Sequence, residues 1–314
     1  MGTLEVCHVL HAEEDEELRR VVMTARRAVL DIAEATRLLL LSLDFADIDN
    51  LLLVLQNDPS GRAVLHDSRL WIELTVIHFG ARLPDDLASL PVPLKERTWN
   101  WTGPDVTCVE LREFLRSGDE REHFRQHVEL HRRNIAFMYH NKGKPFDALA
   151  YPTDELLSNR YTEAGGLIFY RAGRKLHEHL SQPEFKVRRN VGDIVTTPPF
   201  EAGGRLLFHC VIPDRHHPAW EKGLVTTFEN LMTLVIAEDL KHLALALDQT
   251  GVLYPFEQRR GCPHYVLRAL QKVIRTHHWD GTLAIVCNQA WVAEPFEAEL
   301  EDVLNAFNVV SELP

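Results

Sequence analysis

The spacing of apolar residues along the chain changes near residue 134. Between residues 13 and 80, apolar side chains recur every three or four positions with charged residues between them, which predicts a series of amphipathic helices. A further, strongly charged helix is predicted over 109–133. From residue 134 onward, short apolar runs without clear alternation are separated by helical segments, as is typical of strands buried on both faces of a sheet.

The second half of the chain therefore predicts an α/β domain. Its expected strands cover residues 134–140, 146–152, 204–213, 242–247 and 282–288. Its expected helices cover residues 166–180, 220–239, 263–278 and 295–307. Alternation of this kind is typical of three layers, with helices on both faces of a mostly parallel or mixed sheet. We expect a mainly helical N-terminal domain over 1–133 and the three-layer domain over 134–314.

Composition and charge narrow the possible functions. The chain has 314 residues and a formal net charge of −12, which disfavours binding along a nucleic-acid backbone because such binding needs clustered lysine and arginine. Its longest apolar run, Leu38 to Leu41, is too short for a membrane span, and the acidic start does not resemble a signal peptide. The five cysteines are scattered without a CxxC pair, as expected of free thiols in a reducing compartment. We expect a cytoplasmic or nuclear protein.

Residues 83–104 form a proline-rich connector between the two predicted domains. The connector holds four prolines and ends in the alternating aromatic sequence TWNWT at 98–102 and the pair Gly103-Pro104. Alternation of this kind predicts a short edge strand or an arm lying across another surface. Packing is favoured over base stacking for its two tryptophans because the protein is acidic.

Three histidines, His123, His127 and His131, recur at every fourth position of the charged helix. This is a spacing that metal-binding helices use, but no cysteine or acidic residue nearby completes a ligand set. We interpret the stripe as a solvated or interface face. No metal site and no cofactor are predicted.

The N-terminal stretch 36–80 resembles an F-box. The resemblance lies in the order of elements: a leucine-rich helix, the acidic turn and helix over 44–55, and the sequence DSRLWIELTVIHFG over 67–80. It implies docking to a Skp1-like subunit of a ubiquitin ligase through four partly exposed anchors. The expected anchors are Leu51, Leu55, Leu70 and Trp71. The alternative is a small helical bundle in which Leu70 and Trp71 fill the bundle's own core.

The second half resembles a macro domain. The sequence landmarks occur in the order that this family shows. They are FDALAYPTD at 146–154, AGGLIFYRAGRKL at 164–176, VGDIVTTPPFEAGGRLLFHCVIPD at 191–214, Trp220 with the helix after it, LALALDQTGVLYP at 243–255, and the last strand TLAIVCN. The resemblance implies a three-layer fold that holds the pyrophosphate of ADP-ribose on main-chain amides, a mode of binding that an acidic protein can use.

The resemblance also implies which residues line the site. The residues that correspond to ligand contacts in the family are Thr153, Asp154, Gly165, Gly166, Thr250, Gly251, Val252 and Tyr254. Several positions depart from the family pattern. The glycines of the first phosphate loop fall on Tyr161, Thr162 and Glu163, and Gly165 stands where related hydrolases often have aspartate. No acidic counterpart of the adenine contact occurs in HNKGKP at 140–145.

Two functions are consistent with these residues. The first is an adaptor or reader whose macro-like domain binds an ADP-ribose-type ligand, an ADP-ribosylated protein or a protein surface, with the helical domain docking a ligase subunit. The second is a hydrolase of ADP-ribosylated proteins in which Asp154, the weak catalytic candidate, activates water near the distal ribose. The departures in the phosphate loop favour binding over catalysis. No membrane partner is expected, and nucleic acid is an unlikely partner.

Overall fold

The computed structural model describes residues 33–55, 59–80, 108–158, 163–213, 218–247 and 261–309. These residues form two compact units, one ending at residue 118 and the other beginning at residue 119. The helices are α1 (Ala33–Ser42), α2 (Phe45–Leu55), α3 (Pro59–Leu65), α4 (Ser68–Phe79), α5 (Val109–His127), α6 (Glu163–Ala172), α7 (Arg174–Leu180), α8 (Trp220–Ala237), α9 (Cys262–His277) and α10 (Ala290–Asn305). The strands are β1 (Val128–Arg132), β2 (His140–Asn141), β3 (Lys144–Pro145), β4 (Ala148–Thr153), β5 (Ile194–Thr197), β6 (Leu206–Val211), β7 (His242–Ala246) and β8 (Thr282–Cys287). No described helix is both long and apolar enough for a bilayer span.

The first unit is a helical bundle centred on an aromatic cluster. The ring of Phe114 on α5 lies 5.4 Å from each of the rings of Phe45, Trp71 and Phe79. Gly118 permits this packing, because a Cβ there would lie 1.8 Å from Cζ of Phe45. Trp71 satisfies its buried indole N–H by donating to the carbonyl of Val64 at 3.2 Å.

The expected docking anchors are mostly inside this bundle. The side chains of Leu55, Leu70 and Trp71 are fully buried, and Leu51 is half-buried. The expectation of partly exposed anchors at Leu55 and Trp71 is therefore wrong. The reason is geometric: α5 brings Phe114 onto Trp71, so the side chains that sequence spacing assigns to a partner fill the core of the unit itself.

The second unit contains a six-stranded sheet in the order β1-β8-β7-β4-β6-β5. The first five strands in this order are parallel to one another, and only β5 is antiparallel, on β6. The mostly parallel or mixed sheet expected from the sequence is confirmed. β6 and β5 lie on one side of the central strand β4, and β7, β8 and β1 lie on the other. The connection from β6 to β7 therefore passes over β4.

Both faces of the sheet are covered by helices, so the unit has three layers. One face packs on α6 and α7 through a cluster that includes Leu149, Tyr151, Ile168 and Leu176. The alternate residues of β4, β6, β7 and β8, such as Ala150 and Phe208, are also fully buried and face the layer of α8, α9 and α10. The expected α/β/α arrangement is confirmed.

Several local expectations differ from the structure. The charged helix ends at His127, and Val128–Arg132 forms strand β1 on the sheet edge, where only alternate residues need be apolar. Residues 134–140 are a 3-10 turn over Ile135–Phe137 rather than a strand. The single helix expected over 166–180 is two helices, because Gly173 has a φ of +74° between α6 and α7.

Asp147 fixes the start of the central strand. Its carboxylate accepts hydrogen bonds from the backbone N–H groups of Lys241 and His242 at 2.8 and 2.9 Å, beside β7. Its carbonyl accepts from the N–H of Arg205 at 2.6 Å, beside β6. Gly204 has a φ of +87° and a Cβ there would lie 2.8 Å from this carbonyl, so the close approach requires glycine. Asp147 is thus structural, as the sequence resemblance implies.

Arg171 joins α6 to two loops from inside the protein. Its guanidinium donates to the carbonyls of Ile135, Met138 and Ala202 at 2.6–2.7 Å, and no carboxylate is among these partners. Burial lowers the pKa of Arg171 to about 10, so the group remains charged at neutral pH. The charge is stabilised by three carbonyl dipoles instead of an anion.

Replacing Arg171 by methionine should lower the free energy of unfolding by about 2–4 kcal/mol, because three carbonyls lose their charged donor. Urea unfolding followed by circular dichroism measures the change. Arg174→Met is the matched control, since Arg174 is 90% exposed and pairs only with Glu178 one turn away. An equal loss of stability in the two variants would show that the hydrogen bonds from Arg171 to the three carbonyls do not contribute to the free energy of unfolding.

Candidate functional site

The carboxyl ends of five parallel strands lie along one edge of the sheet. At this edge the connection after β4 leads toward β6, whereas the connection after β7 leads to β8 on the other side. Neighbouring strands whose connections diverge leave a crevice between their carboxyl ends, and this is where open α/β sheets bind ligands. The topology therefore places the candidate site between the ends of β4 and β7.

The register of the strands supports the same place. β4 pairs with β7 only as far as Ala150↔Leu245, whereas it continues beside β6 to Thr153↔Val211. Pro152 has no N–H to donate, and it lies beyond the last pairing with β7. Within the described residues, β7 ends at Ala246, and the last residues of β4 extend beyond its pairing with β7.

Thr153 is the last residue of β4, and its hydroxyl has no partner among the described residues. The side chain is fully buried, and its Oγ1 makes no hydrogen bond to any part of the chain that the structure describes, although the backbone carbonyl accepts from the N–H of Ile212 at 3.1 Å. A buried hydroxyl without a partner costs about 1–3 kcal/mol, so such groups normally bond a ligand or an ordered water. The sequence motif named Thr153 as a ligand residue, and the structure gives it an unused donor and acceptor.

Asp154 follows Thr153 and organises a tight turn. Its Oδ1 accepts from the N–H groups of Leu156 and Ser158 at 3.1 and 2.7 Å, and Oδ2 accepts from the Ser158 hydroxyl at 2.5 Å. Leu157 within this turn has a φ of +54°, a strained value for a leucine, yet its side chain is buried. The carboxylate of Asp154 thus holds a strained loop in place at the end of β4.

Helix α6 begins at the same edge. A helix that follows a parallel strand runs back along the sheet, so the N-terminus of α6 at Glu163 lies toward the carboxyl end of β4. Gly165 is buried and Gly166 half-buried in its first turn, at the end of a helix whose dipole attracts anions. Thr250, Gly251, Val252 and Tyr254, the other expected ligand residues, lie outside the described residues.

A second polar group inside the sheet is fully satisfied. The ring of His209 on β6 lies between the hydroxyl of Tyr151, 2.7 Å from Nδ1, and the hydroxyl of Thr197, 2.9 Å from Nε2. Burial raises the pKa of Tyr151 well above its usual value and lowers the pKa of His209 to about 3. All three side chains therefore stay neutral at physiological pH, and the network is structural.

Nucleophile and metal chemistry find little support among the described residues. The neighbouring Cys210 is fully buried, burial raises the pKa of its thiol, and strand alternation directs it away from the His209 face. His123 and His127 bond to the carbonyls of Trp279 and Gly281 respectively, and no group of three metal-ligating side chains occurs in the described part of the chain. The histidine stripe anchors the end of α5 to the turn before β8.

Similarity to known proteins is found in the structure and not in the sequence. No family model matches the sequence, and no curated protein does. Among solved structures, the chain is similar to the macro domain of ganglioside induced differentiation associated protein 2, with 18% identity and a TM-score of 0.48 over 57% of this chain and 85% of that one. A macrodomain of Oceanobacillus iheyensis solved with ADP has 16% identity and a TM-score of 0.46 over 56% and 91%. A macrodomain of Trypanosoma brucei has 14% identity and a TM-score of 0.45 over 84% and 91%.

The buried His209 predicts a specific loss of stability in acid. Its pKa is about 6.5 when unfolded and about 3 when folded, so between these values the unfolded state binds more protons and stability falls as the pH falls. At pH 5 this single group should lower the free energy of unfolding by about 2 kcal/mol relative to neutral pH. Urea unfolding at pH 7 and pH 5 measures the difference, which should shrink by that amount in His209→Gln.

The matched control is His242→Gln, since His242 lies at the half-buried start of β7 and not inside the sheet. An unchanged pH dependence in His209→Gln would mean that His209 accepts a proton in the folded protein.

Proposed function

We propose that the second unit binds an ADP-ribose-type ligand, free or attached to a protein, in the crevice between the carboxyl ends of β4 and β7. The observation that carries this proposal is the fully buried hydroxyl of Thr153, which has no hydrogen-bond partner among the described residues and lies where β4 extends beyond its pairing with β7. A ligand hydroxyl or phosphate oxygen placed there would satisfy it. The proposal also draws on the resemblance of the sequence motifs to a macro domain.

The charge of the protein is consistent with this mode of binding. A net charge of −12 would repel a nucleotide held by surface side chains, but backbone N–H groups bind phosphate without any cationic residue. The N-terminus of α6 lies toward the same sheet edge as Thr153, and its helix dipole favours an anion there. The loop over Thr250 and Gly251 is expected to supply backbone N–H donors.

Binding is favoured over hydrolysis by the surroundings of Asp154. A general base needs a free carboxylate oxygen directed at a water molecule. Both oxygens of Asp154 accept hydrogen bonds within its own turn, from Leu156, Ser158 and the Ser158 hydroxyl. This favours a positioning role for Asp154, in which it fixes the loop beside the crevice.

The adaptor part of the hypothesis has weaker support. The helical unit buries Leu55, Leu70 and Trp71 in its own core, so these side chains are not available to dock a ligase subunit without opening the bundle. We therefore propose a reader of ADP-ribose-type groups and do not extend the proposal to an F-box role.

Thr153→Val should weaken ADP-ribose binding about 3- to 10-fold without lowering stability. Valine keeps the shape of threonine but removes the hydroxyl, so the ligand loses one hydrogen bond while the folded protein loses an unsatisfied group. Titration calorimetry gives the affinity, and urea unfolding gives the stability. Thr196→Val, on the exposed side of β5, is the control and should change neither. Lower stability with unchanged affinity would show that the hydroxyl serves the fold alone.

Asp154→Asn should leave the protein without turnover, as in the wild type, and should retain ligand binding within a few-fold, because asparagine still accepts from the turn N–H groups. The measurement is release of ADP-ribose from a protein modified on acidic residues, followed by mass spectrometry. Hydrolysis by the wild type that is lost in Asp154→Asn would instead establish the hydrolase.

A further inference from the structure

An exposed aromatic surface lies on the second unit, away from the proposed ligand site. It consists of Phe137, Tyr139 and Tyr170, which are 68%, 51% and 72% exposed, and we call it the aromatic platform. The rings of Phe137 and Tyr170 are 6.3 Å apart in an edge-on arrangement. Tyr170 lies in the last turns of α6, whose N-terminus is at the carboxyl edge, so the platform lies toward the opposite end of that helix.

The platform is rigid because a buried cation supports it. The guanidinium of Arg171 lies 4.3 Å from the ring centre of Tyr139 and is itself held by the three carbonyls of Ile135, Met138 and Ala202. One face of Tyr139 is therefore occupied by Arg171, while the side chain remains half exposed to solvent. A ring held in this way loses little further freedom on binding, which favours recognition of a partner.

The chain segments that form the platform contain no acidic residue. Residues 130–146 and 164–177 have no aspartate or glutamate, although the protein has 46 of them. The same two segments contain seven basic residues, namely Arg132, Arg133, Lys142, Lys144, Arg171, Arg174 and Lys175. The two segments that carry the aromatic platform thus have a positive net charge in sequence, on a protein that is negative overall.

Several of these cations have no carboxylate partner. Arg132, Lys142 and Arg174 form ion pairs with glutamates from other segments. No such pair is formed by Arg133, Lys144 or Lys175 among the described residues, and all three are exposed. Arg133 and Lys144 belong to the same segment as Phe137 and Tyr139, and Lys175 follows Tyr170 in the next helix, so exposed cations and exposed rings share the same stretches of chain.

We propose that the aromatic platform binds single-stranded nucleic acid. Exposed rings stack with unpaired bases, and neighbouring lysines and arginines contact the phosphates. An acidic protein partner is less favoured, because protein interfaces are depleted in lysine, whereas two of the three unpaired cations here are lysines. The net charge of −12, from which nucleic-acid binding is disfavoured, is a sum over the whole chain and does not describe the charge of these segments.

The test measures fluorescence anisotropy of a 5′-fluorescein-labelled 20-nucleotide uridine strand with the full chain at low salt. Tyr170→Ala should weaken binding roughly tenfold, because one stacking contact is lost. Lys144→Gln should lower the slope of log affinity against log salt by about 0.7, the value for one phosphate contact on a single strand. Val187→Ala and Lys222→Gln change an exposed apolar and an exposed basic residue elsewhere and should have little effect.

Three results would overturn the proposal. The first is that the strand does not bind, and the second is that Tyr170→Ala binds it as well as the wild type does. The third is that polyglutamate competes as effectively as the strand, and this result would indicate an acidic protein partner. A duplex of the same length should bind much more weakly, because its bases are already stacked. Titration of Tyr170→Ala with ADP-ribose should match the wild type, so failure of one proposal is distinguishable from failure of the other.

Discussion

The hydrogen bonds of Asp147 connect the central strand β4 to both of its neighbours. The carboxylate bonds to the chain entering β7, and the carbonyl bonds to the chain entering β6. These contacts align the amino ends of three strands and so fix their register. At the other end, β4 extends beyond its last pair with β7 at Ala150.

Two buried threonines of the sheet differ in whether their hydroxyls have hydrogen-bond partners. Thr197 bonds to His209, which also contacts Tyr151, so this polar group is complete and contributes to the fold. Thr153 is equally buried but has no partner in the described part of the chain. Buried polar groups in folded proteins are nearly always paired, so an unpaired hydroxyl at a strand end is a stronger indication of a binding site than its sequence position is.

Helix α6 relates two different surfaces. Its N-terminus faces the carboxyl edge, where backbone groups suit a phosphate, and its C-terminal turns carry Tyr170 and Arg171. In the two proposals, these ends bind anions by different physical means: main-chain dipoles at one end, and exposed side-chain cations with aromatic rings at the other. Both proposals are compatible with an acidic protein, because both depend on local rather than total charge.

The sequence by itself determined the layer order and most of the sheet, because strands buried on both faces must be continuous apolar runs and the intervening helices must be amphipathic. It also identified Thr153 and Asp154 through their motif. It did not determine β1, since apolar and charged residues alternate along an edge strand such as Val128–Arg132. It also did not determine the burial of Trp71, which depends on the packing of α5 across this side chain. Tertiary structure alone decided that the Thr153 hydroxyl has no partner among the described residues. It also decided that Tyr139, Tyr170 and Arg171 form one surface, because hydrogen-bond partners and ring contacts come from segments distant in sequence.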